Sequence, residues 1–514
     1  MQPINKASGI NFSEQFLAEL AGRTFLNLWA YPNVYSRRAK ELCDLLVVCG
    51  DYVLIFSVKN IQWRKHKPVS EEWVHWYKRA ITESIKQLRG AERWLSKFPD
   101  RLYLDAACRE QFPIPLPPPE SAKVHRIIVA LGAHNACSDY FDGDSGSFMI
   151  RPETTGKMHE DPTDKTFSPF VVGDIDPFEP FVHVFNELTL AVLMQELDTV
   201  RDFAEYLEDK SRFVRSGHLI SAAGEEDLMA YYLTHATDPD RHDFTHPDNR
   251  AWQPNEAMAI GPETYTSLVK NPQYQRKKEA NRNSYIWDRL IEAFTDNIIA
   301  GTTLVPEGEV FDMSTHGQAV KHMAYENRIE RRLLGDGVLG VLEASHLHDK
   351  STRIMFPSEA RPRNRTGYVF MTLALPKKEL EGGYEQYRRV RSEMLSVYCL
   401  SLIQQHKHID RFIGIACEPL PTPGGPIGSS EDLVLVPRPE NWTAEDEASL
   451  EEDRKNLNIL NQDVIRMRNY GVEEYPEHIS AIEYEFPKFT VPRKKPCSCG
   501  SGKKYKRCHG KLEK

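Results

Sequence analysis

The stretch that decides the fold of the N-terminal part is ELCDLLVVCGDYVLIFSVKN, residues 41–60. Two apolar runs, Leu45–Cys49 and Tyr52–Phe56, flank the dipeptide Gly50-Asp51. Short apolar runs that are separated by a glycine-containing pair are typical of two antiparallel strands joined by a tight turn. The stretch therefore predicts a β-hairpin whose strands are buried.

Helix and strand patterns surround this hairpin. An apolar stripe after Ser13 predicts an N-terminal helix, which the sequence Tyr-Pro-Asn ends near residue 31. A helix is predicted from about Ser70 to Ser96, and the apolar run 124–133 predicts a buried strand. The order helix, strand, hairpin, helix, strand is typical of a mixed sheet flanked by helices.

The full chain of 514 residues is long enough for several domains. Helical periodicity dominates its middle, and apolar strand patterns return after residue 350. We predict an α/β multidomain protein with an N-terminal α/β domain (1–135, or as far as about 185), a mainly helical region (185–345), a second α/β unit (350–440), a helix and linker (441–490) and a small tail (491–514). The arginine-rich sequence ENRIERRLLG, residues 326–335, has the composition of a phosphate contact, but we favour its interpretation as a charged helix face.

Composition restricts the class of protein. Hydrophobic residues make up 40% and the net charge is −9, which indicates folded domains and not a disordered chain. An apolar stretch of about 18 residues is absent, so no membrane span is expected, and the N-terminus lacks a signal-peptide pattern. Six of the nine cysteines are scattered singly, which favours a reducing, cytoplasmic location. The oligomeric state is not indicated.

The last residues carry a compact set of metal ligands. Cys497, Cys499, Cys508 and His509 lie within thirteen positions, and three thiolates with one imidazole suit tetrahedral zinc. A closed four-ligand site is structural, and so short a segment needs the metal in order to fold. From residue 488 onward ten Lys and Arg face a single acid, so the tail is cationic and favours an acidic partner.

The stretch CSCGSGKKYKRCHG, residues 497–510, resembles the SEC-C motif, the zinc-binding tail first known from the SecA translocation ATPase. The resemblance covers about 20 residues. It implies a structural zinc ion and a docking surface for a protein partner. The chain has no GxxxxGK[ST] phosphate-binding loop, which excludes the ATPase itself.

The hairpin carries a second constellation. Asp44 begins one strand, and Ser57 and Lys59 lie two apart on the next, so they share one face. With the surrounding order of elements, this resembles the PD-(D/E)xK superfamily of restriction-endonuclease-like nucleases and its αβββαβ core. The resemblance implies a hydrolase of phosphodiesters. In it Asp44 binds Mg²⁺ or Mn²⁺ and Lys59 stabilises charge in the transition state.

The chain departs from that pattern at the middle position. Ser57 stands where the superfamily has an acid, and a hydroxyl is a poor Mg²⁺ ligand beside a carboxylate. Glu41, Glu14 or Glu19 would have to supply the missing charge, and the sequence does not distinguish among them.

Two further features belong to the same expected site. Gln87 lies on one helical stripe with Ala80, Ser84 and Ala91, from which it can reach the site, and a glutamine on this helix recurs in the RecB-like branch of the superfamily. Arg64, Lys65 and Lys67 follow the second strand and are candidates for contacts with a nucleic-acid backbone.

We therefore expect a metal-dependent nuclease-like protein, with the zinc tail docking on nucleic acid or on a protein. Analogy with large bacterial proteins of this kind suggests a role in defence or nucleic-acid processing. The alternative is a non-catalytic adaptor, in which Ser57 marks a decayed site and the tail binds the secretion or translation machinery. An enzyme with its chemistry in residues 350–440 is a third possibility, although that region shows no nucleophile–base pair.

One weaker pattern is THATDPDRHDFTHPD, residues 234–248, which gathers His235, His242 and His246 among aspartates. The spacing fits no standard metal-ligand pattern, and the Asp-Pro and His-Pro steps favour a solvated loop.

Overall fold

The N-terminal part consists of a helix, three antiparallel strands, a long interrupted helix and a fourth strand. The structure is a computed structural model that describes residues 3–238, 241–303, 310–356, 365–374, 383–419, 431–460 and 473–476. Its first elements are α1 (Phe12–Thr24), β1 (Ala30–Arg37), β2 (Lys40–Cys49), β3 (Tyr52–Asn60), α2 (Val69–Tyr77), α3 (Glu83–Lys97) and β4 (Lys123–Leu131). The elements follow the order that the sequence predicts, with a π-helical turn joining α2 to α3.

Strands β2 and β3 form the predicted hairpin. Their antiparallel ladder runs from Leu45 opposite Phe56 to Cys49 opposite Tyr52. Gly50 in the turn has φ +60°, a conformation that only glycine adopts without a steric penalty. A Cβ atom there would also collide with the ring of Tyr325. Glycine is thus required both by the turn and by the packing against it.

The hairpin lies inside a larger mixed sheet. The next elements are α4 (His134–Tyr140), β5 (Met149–Thr155), β6 (Val171–Asp174) and β7 (Val182–Phe185). Within the described ranges the strand order is β1-β2-β3-β4-β7, antiparallel up to β3 and parallel from β3 onward. Ser57 contacts α3 whereas Asn60 contacts α1, so the two helices cover opposite faces of the sheet.

The segment that the sequence predicts as mainly helical contains eight α-helices and four short strands among its described residues. They are α5 (Glu187–Glu196), α6 (Val200–Arg215), β8 (Leu219–Ala222), α7 (Glu225–Thr234), β9 (Ala236–Asp238), β10 (Arg241–His242), β11 (Met258–Ile260), α8 (Thr264–Lys270), α9 (Pro272–Ala280), α10 (Tyr285–Ala300), α11 (Gln318–Ala324) and α12 (Arg328–Ala344). A small sheet has the order β11-β8-β5-β6, and β9 pairs with β10.

The start of α12 carries the predicted charged residues on a helix, and the arginines among them are buried. Arg331 is 1% exposed. Its Nη1 donates to Asp288 Oδ1 over 2.7 Å, and Arg328 Nη1 donates to Asp288 Oδ2 over 2.9 Å. The charges are tolerated in the interior because the carboxylate on α10 pairs with both of them.

A second α/β layer follows. It consists of β12 (Lys350–Met355), β13 (Thr366–Leu373), α13 (Gly383–Gln405), β14 (Arg411–Cys417), β15 (Asp432–Pro437) and α14 (Ala444–Asn456). The sheet order is β12-β13-β14-β15, with β13 and β14 parallel and α13 connecting them. A Cβ atom at Gly414 would lie 2.5 Å from Leu395 Cγ, so glycine allows α13 to pack closely on β14.

None of the helices in the described residues is long and apolar enough to cross a membrane. The described residues belong to one compact unit that extends from Met1 to Glu477. The α/β character and the presence of several sheets agree with the predicted fold class. The predicted domain boundaries remain predictions.

Candidate functional site

The candidate site lies where β2 and β3 separate. Their ladder ends at the pair Leu45 and Phe56. Beyond this pair β2 continues on β1, with Cys43 opposite Val34, while β3 continues on β4, with Ser57 opposite Ile128. A fork therefore opens in the sheet at Asp44 and Ser57, and side chains of both strands border the gap between them.

Asp44 and Gln87 connect the two sides of the fork. Asp44 Oδ2 accepts the backbone N–H of Val58 over 2.5 Å, in place of the ladder bond that β2 no longer makes. Gln87 on α3 donates through Nε2 to Asp44 Oδ1 over 3.5 Å and accepts the Ser57 hydroxyl at Oε1 over 3.0 Å. The structure thus brings Asp44, Ser57 and Gln87 into direct contact.

Two of the three candidate acids meet at the same fork. Asn33 Nδ2 donates to Glu14 Oε2 over 2.9 Å and to Glu41 Oε1 over 2.8 Å. Glu14 is held further by the backbone N–H of Ile10 over 2.7 Å. Glu19 is exposed on α1, and the contacts of the cluster involve Glu14 and Glu41.

Asn33 is the residue that the sequence reasoning missed. Helix α1 ends at Thr24, so the sequence Tyr31-Pro-Asn does not end a helix but lies within β1. Asn33 is 1% exposed, and its φ is +51°, in the left-handed region. Asparagine tolerates that region better than most residues, and this was the available signal. Strained backbone of this kind concentrates at functional sites.

Burial and neighbouring acids raise the pKa of two carboxyl groups at the fork, those of Asp44 and Glu41. Burial raises the pKa of Asp44, the Val58 N–H and Lys59 lower it in part, and Glu14 raises it again. Burial also raises the pKa of Glu41; Asn33 opposes this effect, and Asp44 and Glu14 reinforce it. Lys59 acts on both carboxylates yet forms no ion pair with a described residue. The fork thus holds more negative charge than its own cation neutralises.

The oxygen atoms at the fork can be compared with the ligands that a divalent cation prefers. Carboxylate and amide oxygens are the ligands that Mg²⁺ and Mn²⁺ prefer. Asn33 Oδ1 is buried and has no hydrogen-bond partner among the described residues, so a buried oxygen is available beside the acids. The part of the chain that the structure describes contains no group of three His, Cys, Asp or Glu side chains placed to hold one ion. The types of oxygen at the fork therefore fit Mg²⁺ or Mn²⁺, but the side chains are not placed closely enough to surround an ion.

The basic loop follows the open end of the fork. Arg64, Lys65 and Lys67 are exposed in the turn after β3. Two residues of α2 anchor the loop. Trp76 Nε1 donates to the carbonyl of Ile61 over 2.8 Å, and the N–H of Arg64 donates to Glu72 over 3.3 Å. Three cationic side chains therefore project to solvent from an anchored loop beside the site.

Comparison with known proteins identifies a motif at the other end of the chain. Residues 493–511 match the SEC-C motif family. The protein translocase subunit SecA of Campylobacter jejuni is 44% identical over 62 residues, which are 12% of this chain and 7% of that protein. SecA of Francisella tularensis subsp. novicida is 56% identical over 41 residues, which are 8% of this chain and 4% of that protein. This chain thus spans only a small fraction of the relatives it matches.

No solved structure matches the chain. The predicted ligands Cys497, Cys499, Cys508 and His509 lie outside the described residues, although all four fall within the SEC-C match.

Proposed function

We propose that the N-terminal part is a nuclease-like core of the PD-(D/E)xK type and that the protein cleaves nucleic-acid phosphodiesters in a metal-dependent reaction. The observation that carries the proposal is the fork. It gathers an acid from β2, a lysine from β3 and a glutamine from the following helix around one gap. The order of strands and helices around it supports the resemblance to that core.

Each residue of the fork has a task in this proposal. Asp44, with Glu14, Glu41 and the free Asn33 Oδ1, would hold Mg²⁺ or Mn²⁺ once these oxygens draw together. When bound, the ion polarises the phosphate and lowers the pKa of the attacking water. Lys59 stabilises the negative charge that develops on the phosphate. Gln87 fixes the rotamers of Asp44 and Ser57 through its two hydrogen bonds.

The cluster of Glu14, Asn33 and Glu41 explains how a serine can occupy the position of the missing acid. Ser57 is fully buried and its hydroxyl is engaged with Gln87, so it is a poor ligand. The two glutamates reach the fork from α1 and from the start of β2 instead. Their shared amide donor keeps both carboxylates at the site in the absence of an ion.

The test of the nuclease is cleavage of single- and double-stranded DNA and RNA with Mg²⁺, with Mn²⁺ and with EDTA. Wild-type protein is expected to cleave at least one substrate with metal, and Asp44→Asn and Lys59→Ala are expected to be inactive. Lys97→Ala removes an exposed lysine at the end of α3 and is the matched control. Cleavage by Lys59→Ala at the wild-type rate would contradict the proposed site.

Binding of the ion has its own readout. Mg²⁺ or Ca²⁺ that binds the folded state raises the melting temperature by mass action. This shift is expected in the wild type and in Lys59→Ala but not in Asp44→Asn. If neither ion changes the melting temperature of any of the three proteins, this would argue against an acidic metal site at the fork.

A second function is favoured by the SEC-C match. We propose that residues 493–511 fold around one structural zinc ion, bound by Cys497, Cys499, Cys508 and His509, and dock on a protein or nucleic-acid partner. Metal analysis of the purified chain is expected to give one zinc per protein, lost in Cys499→Ser and kept in Ser501→Ala. Equal zinc in both variants would contradict this ligand set.

The adaptor alternative makes a separable prediction. If the tail is the main functional element, Lys59→Ala leaves the activity in cells unchanged and Cys499→Ser removes it. If the nuclease is the main element, Lys59→Ala removes that activity while zinc content stays at the wild-type level.

A further inference from the structure

Four residues from late in the chain, Glu473–Pro476, occupy a cleft between helices α7, α9 and α12. The Glu474 carboxylate lies at its centre. Glu474 Oε1 is 2.8 Å from His242 Nε2 and 2.5 Å from Lys277 Nζ. Both side chains are largely shielded from water, with exposures of 13% for His242 and 9% for Lys277. His242 therefore lies in a polar cleft and not in the solvated loop that the sequence suggests.

The cleft also holds the backbone of this segment. Arg332 donates to the carbonyl oxygens of Glu473 and Glu474, and Arg276 Nε donates to the Pro476 carbonyl over 3.2 Å. The Tyr475 hydroxyl donates to the carbonyl of Leu233 over 2.6 Å. The segment is thus bound through a carboxylate, a hydroxyl and three carbonyls, as an extended peptide is bound in a groove.

The other acids that line the cleft are already paired. Glu196 accepts from Lys278, and Glu205 accepts from Arg201. Asp202 accepts from the Thr199 hydroxyl and from the backbone of α12. Among the described residues, Glu474 is accordingly the carboxylate that pairs with both Lys277 and His242.

The electrostatics favour occupation of the cleft by an anion. Burial lowers the pKa of Lys277, but Glu474 outweighs burial and the net shift is upward. Burial raises the pKa of Glu474, yet His242 and Lys277 bring it far below its usual range. A buried ammonium group without a partner is costly, so an empty cleft would favour any segment that restores the negative charge.

We propose that this cleft is a peptide-binding site for an extended acidic segment with an aromatic residue after the acid, and that Glu473–Pro476 of the same chain occupies it. The site anchors the chain immediately before residues 477–514, which contain the SEC-C match. A partner protein that presents an acid followed by an aromatic residue would compete for the same cleft. The proposal is independent of the nuclease reaction.

Hydrogen exchange on the full chain tests the occupant. In Glu474→Gln, amides of residues 473–475 and of the start of α9 are expected to exchange roughly thirtyfold faster or more, as the loss of one partner of a buried ion pair implies. Glu473→Gln removes the same charge from an exposed neighbour and should exchange like the wild type. Unchanged exchange in β13 and β14 shows that the fold is intact. Equal exchange in both variants would overturn the proposal.

A peptide tests recognition in trans. A labelled peptide GVEEYPEH, residues 471–478, is expected to bind the Glu474→Gln chain at least about tenfold more tightly than the wild type, whose own segment competes at high effective concentration. The peptide GVEQYPEH should not bind. Equal binding of both peptides would overturn recognition of the acid. Exchange protection that depends on protein concentration would overturn occupation by the same chain, because the segment would then come from a second copy.

Discussion

Asp44 Oδ2 lies 2.5 Å from the backbone nitrogen of Val58, so a side chain completes the hydrogen bonding at the point where β2 and β3 separate. This bond gives Asp44 a structural task in addition to its proposed task as a ligand. Asp44→Ala leaves the buried Val58 N–H without an acceptor, whereas Asp44→Asn keeps one. Denaturant unfolding should show the alanine variant less stable than the asparagine variant by about 1–3 kcal/mol. Equal stabilities would mean that water replaces the carboxylate.

Asn33 combines a strained backbone with two hydrogen bonds to charged groups. Asn33→Ala and Asn33→Gly remove the same amide, so both should destabilise the protein, but they differ at φ +51°. The glycine variant should be more stable than the alanine variant by about 1 kcal/mol, because glycine adopts a positive φ freely. Thermal unfolding of the three proteins measures the difference. An alanine variant as stable as the glycine variant would show that the backbone relaxes.

Glu41 is expected to cost stability at neutral pH. Burial and the neighbouring acids raise its folded-state pKa. The protein therefore keeps its full stability below the ordinary glutamate pKa of about 4, where Glu41 is protonated, and loses part of it as the pH rises through the raised value and the buried carboxyl ionises. Glu41→Gln should therefore raise the melting temperature by about one or two degrees at pH 7.5 and have little effect at pH 4. Glu120→Gln, at an exposed turn, should have no effect at either pH. A Glu41→Gln effect that grows at low pH would have the wrong sign.

The ion pairs of α12 should be far more sensitive than those at the surface. Asp288→Asn leaves Arg328 and Arg331 buried without their shared carboxylate, which should cost about 3–5 kcal/mol. Glu279→Gln breaks the exposed pair with Arg282 and should change stability by less than about 1 kcal/mol. Unfolding at several salt concentrations adds a check, since only the exposed pair is screened. Similar costs for both variants would contradict the buried network.

Two glycines should respond to alanine with opposite signs. Gly414→Ala places a methyl group against Leu395 in the second α/β layer and should destabilise by about 1–3 kcal/mol. Gly90 lies within α3 with no atom within 4 Å of the added Cβ, so Gly90→Ala should stabilise by about 0.5–1 kcal/mol. Calorimetry distinguishes the two, and a stabilising Gly414→Ala would show a loosely packed α13.

The hairpin was predictable because its information is local. The run lengths, the turn glycine and the strand register lie within twenty residues, and the ladder from Leu45–Phe56 to Cys49–Tyr52 follows the two apolar runs. The proximity of Gln87 to Ser57 could also be predicted, since helical and strand periodicity assign each side chain to a face. The proximity of Glu14 to Glu41 could not be predicted, because it depends on how α1 packs against the sheet.

The fate of charged residues required the tertiary structure as well. Arg331 has the local pattern of a solvated helix residue, and only the position of Asp288 on another helix makes its burial tolerable. His242 belongs to a polar loop pattern and meets Glu474 at a separation of 232 residues. No periodicity connects positions so far apart, and their contact depends on the packing of the helices between them.

The amino-acid sequence by itself determined the hairpin, the order of the N-terminal elements and the SEC-C motif, because each depends on turn chemistry, side-chain alternation or ligand spacing over short distances. Only the tertiary structure decided where β2 and β3 part, that Asn33 joins Glu14 to Glu41 there, and that Glu474 fills the cleft at Lys277. These contacts join distant segments, and they form only where the packed core offsets the entropy of bringing those segments together.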